Sequence, residues 1–234
     1  MGAIYRREVG AFFTSSIAYI FLAVFWLFSG YFFYGSCVYG ATTDMTNMFQ
    51  SMFLVICFLI PLLTMRLFSE EKKQKTEQGL LTAPVSLGGI VFGKYFAALT
   101  LYTIGLLMPF VYALILSAFG QVEWGIVFAN FLALLLIGAA FIAIGVLISA
   151  LTENQIAAAV MSFVVLMLLF MLDTIANLVN IEWIATLLGY LSFSRKYYAI
   201  TYGLFNVSTV VFYISVAVIF NYLTIRVFER RRWS

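Results

Sequence analysis

Gly88-Gly89-Ile90-Val91-Phe92-Gly93-Lys94-Tyr95 comes within one residue of a phosphate-binding loop of the form GxxxxGK[ST]. Such a loop needs a Ser or Thr hydroxyl after the lysine to hold Mg²⁺, and a strand before the first glycine. Tyr95 offers no such ligand, and no strand pattern precedes Gly88. Nucleotide binding by this chain is therefore not expected. The other residue types able to do chemistry are scarce. Histidine is absent, which removes Ser-His and Cys-His nucleophiles and every His-ligated metal centre. Cys37 and Cys57 lie far apart in apolar runs, so neither a CxxC site nor a disulfide framework is available. An ionisable residue inside a membrane span is functional by default, and Asp173 is the one clear case by position. A proton or ion relay needs a chain of such groups, which this sequence lacks.

The elements that carry these residues follow from composition. The 234 residues are 64% hydrophobic and 10% charged, against about 45–50% and about 25% in soluble domains. So few charges cannot cover so much apolar surface in water, which excludes a soluble enzyme. A bilayer core takes about 20 apolar residues per helix. Six runs qualify: Ile17–Tyr39, Phe49–Phe68, Tyr95–Phe119, Gly125–Leu151, Ile156–Ala176 and Val207–Val227. They are continuously apolar rather than alternating, so they read as helices and not as barrel strands.

Lys and Arg mark the cytoplasmic side of a membrane protein. With six spans both ends share one side. That side carries Arg6, Arg7, Arg66, Lys72, Lys73, Lys75, Lys94, Arg226, Arg230, Arg231 and Arg232, and the other carries only Arg195 and Lys196. Both termini are expected to be cytoplasmic.

Three segments stand apart from the spans. In residues 1–16, Tyr5, Val9, Phe12 and Phe13 form an apolar stripe at helical spacing, with Arg6 and Arg7 off it, which suits a helix lying in the membrane interface. Residues 69–93 are the most polar stretch. Glu71 and Lys75 are spaced for an i,i+4 pair there. An apolar patch of Leu80, Leu81 and Val85, closed by Pro84, needs cover and suggests docking to a cytoplasmic partner. Ser86 is placed to cap the next helix, and Thr152 or Asn154 to cap span five. Residues 177–206 lie outside by the charge rule. Their run Ile184–Phe193 is too short to span and fits a re-entrant or interfacial element. With Asp173, the residues Arg195, Lys196, Tyr197 and Tyr198 are candidates for an outer gate or a partner contact there. In span four Gly138 is one of several small residues, and Gly145 with Ser149 makes a small-xxx-small pair for close helix packing.

Two blocks also resemble a known family. Pro61-Leu62-Leu63-Thr64-Met65-Arg66-Leu67-Phe68-Ser69-Glu70-Glu71-Lys72, continued by Leu80-Leu81-Thr82-Ala83-Pro84-Val85-Ser86 and Gly93-Lys94, is similar to the pattern of ABC-2 type permeases. Ala140–Ile156, with its Ser149-Ala150-Leu151-Thr152-Glu153-Asn154-Gln155 ending, and Thr224–Trp233 resemble the gliding-motility and nitrous-oxide-accessory branch. The resemblance implies an all-α membrane protein forming a single transmembrane domain over residues 1–234. Its parts would be six transmembrane helices, an N-terminal interfacial helix, a cytoplasmic coupling helix between spans two and three, and a re-entrant outer segment between spans five and six. It implies two cytoplasmic ABC ATPase subunits as partners, a second permease copy or paralogue, and contact with membrane lipids, with an extracytoplasmic accessory protein as a further candidate and no nucleic acid. ATP and Mg²⁺ would sit on the ATPase, leaving no cofactor in this chain. By position Glu70, Glu71, Glu77, Leu80, Leu81, Pro84 and Val85 would meet the ATPase. The expected function is the permease subunit of an ATP-driven exporter of an amphipathic, lipid-like or peptide cargo in a bacterial inner membrane. The alternatives are a mechanotransmitting subunit acting on an outer partner and, in another class, an ion-coupled transporter.

Overall fold

The computed structural model describes residues 1–76, 85–178, 181–203 and 206–232. Among these residues every regular element is helical. In chain order they are α1 (Gly2–Thr14), α2 (Ser16–Phe33), which ends in one π-helical turn (Tyr34–Val38), α3 (Thr46–Thr64) and α4 (Ser69–Lys73). Then follow α5 (Leu87–Leu106), α6 (Met108–Ser117), α7 (Trp124–Leu151) and α8 (Gln155–Leu178). The last three are α9 (Glu182–Leu191), α10 (Phe193–Thr201) and α11 (Val207–Arg232). Six stretches are long and apolar enough to cross a membrane: Ser16–Val38, Thr46–Lys73, Leu87–Ser117, α7, α8 and Val207–Arg231. They correspond one to one with the six apolar runs of the sequence.

Span two and α7 form the centre. Of the apolar stretch in Thr46–Lys73, 67% is buried, against 17% in α8. The exposed side chains of α8 include Ile156, Val160, Val164, Leu168 and Met171, a single apolar face on the outside of the bundle. The core is an aromatic and aliphatic mass in which Phe53 stacks on Phe141 and meets Phe170 and Tyr197 edge-on or tilted.

Span three is broken, where the sequence reads as one run from Tyr95 to Phe119. Leu107 separates α5 from α6, with Pro109 in the first turn of α6. Pro109 has no N–H to give to the carbonyl four residues back, that of Gly105. In an apolar surround an unmet carbonyl is costly. The Trp26 indole N–H donates to Gly105 O across the helix pair at 3.2 Å. The break thus fastens α2 to span three. Span three also begins earlier than its apolar run. Ser86 accepts from the Gly89 N–H at 3.2 Å and starts α5 at Leu87.

α7 approaches its neighbours at two glycines. A Cβ on Gly138 would lie 2.7 Å from the hydroxyl of Tyr102, and one on Gly145 would lie 2.8 Å from Cβ of Thr64. Tyr102 is fully buried, and its hydroxyl donates to Leu134 O at 2.7 Å. Only hydrogen at residue 138 leaves room for that ring. Of the two expected caps for span five, Asn154 does the work: its Oδ1 accepts from the Ile156 N–H at 2.9 Å.

Candidate functional site

The end of the bundle that carries both chain termini holds most of the ionic structure. Here the chain leaves α3, turns over Met65–Phe68 and starts α4. Such a turn exposes carbonyls at the end of one helix and N–H groups at the start of the next. One side chain of α7 serves both. The Ser149 hydroxyl donates to Met65 O at 3.0 Å and accepts from the Phe68 and Ser69 N–H groups at 3.1 and 3.2 Å. Ser149 is fully buried. One turn earlier on α7, Gly145 lies against Thr64. Lys72 of α4 reaches Glu153 at 3.2 Å, and Arg231 of α11 donates to Ala150 O in the last turn of α7 at 2.8 Å. A cation on those carbonyls is the arrangement a helix C-terminus favours. The two sequence blocks Pro61–Lys72 and Ala140–Ile156 therefore meet in one joint.

A second cluster lies beside it. Lys94 sits in α5 with its side chain 2% exposed. Its Nζ lies 3.1 Å from Oε1 of Glu8 on α1 and 2.9 Å from Oε1 of Glu71 on α4. Arg7 Nη2 lies 2.6 Å and 3.0 Å from the same two oxygens. Two cations and two carboxylates thus close a ring that joins three helices. A buried charge needs such pairing, because desolvation is expensive. The Arg7 guanidinium is held above its ordinary value chiefly by the hydrogen bond to Glu8; burial opposes this, and the charges of Glu8 and Glu71 reinforce it. A cavity of about 290 Å³ opens next to the ring, lined by Phe12, Arg66 and Glu70 among others. Arg66 pairs with Glu70 at 3.5 Å and lies over the Phe12 ring.

These placements revise several expectations. Glu71 pairs with Arg7 and Lys94 rather than with Lys75. The α4 helix ends at Lys73 and Lys75 takes a left-handed backbone (φ 58°), so the i,i+4 geometry is gone. The buried charge in span three is Lys94, whereas Asp173 is one-third exposed. The α1 stripe is carried by Tyr5, Val9 and the buried Phe12, while Phe13 points away; Tyr5 shares a hydrogen bond with Thr100 at 2.9 Å. Val85 is half-buried at the start of α5, but Glu77, Leu80, Leu81 and Pro84 lie outside the described residues. Sequence reasoning missed Arg7, Glu8 and Lys94 as a unit. Nothing local flags them, because the ring joins residues up to 87 positions apart.

At the opposite end, α9 packs on α8, and α10 lies among α3, α7 and α8. Asp173 and Arg195 are 4.0 Å apart, a loose and exposed pair. Tyr197 is fully buried and donates to Phe49 O at 2.6 Å, so it fastens α10 to the start of α3 and does not face outward. Tyr198 is half-buried beside Phe53. Lys196 donates to Tyr190 O and lies over the Phe212 ring, with burial and then Arg195 pulling its ammonium below the ordinary lysine range. Of the five candidates for an outer site, the structure pairs Asp173 with Arg195 and turns Tyr197 into the core.

No group of three or more metal-ligating side chains occurs among the described residues. A family model described as ABC-2 family transporter protein matches residues 3–233. No curated protein matches the chain.

Proposed function

Since the chain belongs to the ABC-2 family of transporter proteins, as a multi-pass membrane subunit that works with an ABC ATPase, we propose that it is the permease half of an ATP-driven exporter whose cargo is amphipathic. ATP is bound and hydrolysed on the partner. The ATPase grips residues 76–86 from the cytoplasm, with Leu80, Leu81, Pro84 and Val85 as the apolar contact and Glu77 and Glu70 as flanking carboxylates. Glu70 keeps a partly exposed carboxylate toward that side, whereas Glu71 serves the internal ring. Both termini lie on this cytoplasmic side, where eleven of the thirteen Lys and Arg residues fall.

The observation that carries the reading is the joint at Ser149. Residues 76–86 hang between α4 and α5, and α4 is stitched through Ser149 and Lys72 to both ends of the turn that closes α7. A displacement of α4 therefore reaches the most deeply packed helices directly. A ligand drives a conformational change only through unequal affinity for two states; here that ligand is ATP on the partner. The exposed apolar face of α8 faces lipid or a second copy of the chain, with cargo passing along the interface between copies. α1 lies in the membrane interface, and the α9–α10 pair re-enters the outer leaflet.

The test is co-purification. Leu80→Asp together with Leu81→Asp removes the apolar contact, and an ATPase that accompanies the tagged wild-type chain from native membranes is then lost while membrane insertion persists. Undiminished recovery of the ATPase with the double variant refutes the docking assignment.

A further inference from the structure

The ring of Arg7, Glu8, Glu71 and Lys94 has a position that simple charge neutralisation does not require. Glu71 stands just before the root of residues 76–86 on α4, and Lys94 stands two turns past the other root on α5. Their contact of 2.9 Å closes the two roots on one another. Lys94 also holds Glu8, and Arg7 holds Glu71, so the same contact fastens α1. The fit continues beside the ring. A Cβ on Gly93 would lie 2.9 Å from Ile4, so α1 lies flush on α5 there. The Lys94 ammonium is 5.2 Å from the centre of the Phe68 ring, which packs on Phe228 of α11. One buried ammonium on span three thus touches span two and the N-terminal helix, and Phe68 beneath it links on to span six.

We propose that Lys94 is the positioning residue of the coupling step, tying α1 to the two roots of the docking segment so that they move as one body when the ATPase moves. The proposal rests on residues 76–86 being the docking segment. α1 has no covalent link to that segment other than through spans one and two. Its only ionic tie to both roots among the described residues is this ring. Without Lys94 the Arg7 guanidinium still bridges Glu8 and Glu71, but both are then held from the exposed side only, and α5 is released from the ring.

Two measurements decide the matter. The first uses the purified chain alone. Glu8→Gln and Glu71→Gln lie on different helices, and thermal unfolding of the singles and the double shows whether their effects add. Residues sharing one network do not add. The expected result is non-additive shifts in melting temperature whose coupling shrinks in a Lys94→Gln background without vanishing, since Arg7 still bridges the two carboxylates; additive shifts with Lys94 present, or undiminished coupling without it, overturn the proposal. The second uses the complex with the ATPase that accompanies the tagged chain. Hydrogen exchange over residues 2–14 is followed with and without ATP and vanadate. In Lys94→Gln the ATPase remains bound, but the nucleotide-dependent change over α1 falls at least about fivefold, the lower end of ordinary coupling between sites. Lys94→Arg restores it, which a merely structural loss would not show. A full response of α1 in Lys94→Gln refutes the role. Retention of the ATPase by the Leu80→Asp, Leu81→Asp variant would instead refute the docking reading, and the first measurement still judges the ring.

Discussion

Ser149→Ala removes one oxygen, and the structure says what that oxygen does. Its hydroxyl accepts from two backbone N–H groups, Phe68 and Ser69, and donates to Met65 O. The Met65 carbonyl keeps another donor, the Ser69 hydroxyl, so its loss is small. The two N–H groups have no substitute: they open α4, where no earlier turn supplies acceptors. A buried donor left unmet costs about 1–3 kcal/mol, so two cost about 2–6 kcal/mol. The joint lies at the polar end of the bundle, where water recovers part of this. The lower half, about 2–4 kcal/mol, is the expected destabilisation. Reversible unfolding in mixed micelles of rising dodecyl sulfate fraction measures it, and hydrogen exchange at Phe68 and Ser69 localises it. Ser162→Ala is the control. Ser162 is equally buried, but its hydroxyl has no hydrogen-bond partner, so its loss should be neutral to stabilising. If Ser149→Ala costs no more than Ser162→Ala, or if protection at the two amides is unchanged, the joint does not carry the load assigned to it.

Gly145→Ala places a methyl 2.8 Å from Cβ and 3.0 Å from Cγ2 of Thr64, both on packed helix surfaces; the expected cost is about 1–3 kcal/mol, measured in the same micelle titration. Thr64→Ala should relieve much of it, giving a non-additive pair, and additive losses would show that the two helices do not meet there. Tyr197→Phe deletes the donor to Phe49 O and should cost about 1 kcal/mol, with faster exchange along α10 as the local sign. Unchanged exchange in α10 would mean that its hold on α3 lies elsewhere.

How much of this was legible in the sequence depends on the range of the interaction concerned. The six spans could be read because burial in lipid needs only a local property, a long apolar run. The caps at Ser86 and Asn154 were legible for the same reason, since each acts within three residues. The break at Leu107 had a local signal in Pro109, but a proline inside an apolar run does not say whether the chain kinks or stops; the Trp26 contact, 79 residues away, settles that. Ser149 read as a small residue for close packing. Its size does serve α7, but its hydroxyl does more, and that role depends on where another span turns. Tyr197 and Lys94 show the converse. Tyrosine near a cation suggests an outer belt, and Gly-Lys suggests a helix leaving the membrane, yet tertiary contacts bury both side chains.

The geometry also explains why the two motif blocks stand where they do along the chain. Pro61–Lys72 ends span two, and Ala140–Ile156 ends span four, more than 70 residues later. In space they interlock at three levels: Gly145 on Thr64, Ser149 on the Met65–Ser69 turn, and Glu153 with Lys72. Each level uses a different chemistry, namely close approach, backbone hydrogen bonding and ion pairing. Removing one therefore leaves two in place. A joint built this way resists shear between the two spans at its inner end. Displacement imposed on α4 must then tilt span two and α7 together rather than slide one past the other. The periphery is left to α8 and α11, which bury the least of their surface. The proposed exporter, opening between copies, would use that division, with a stiff centre to receive the stroke and a loosely packed rim to change its contacts.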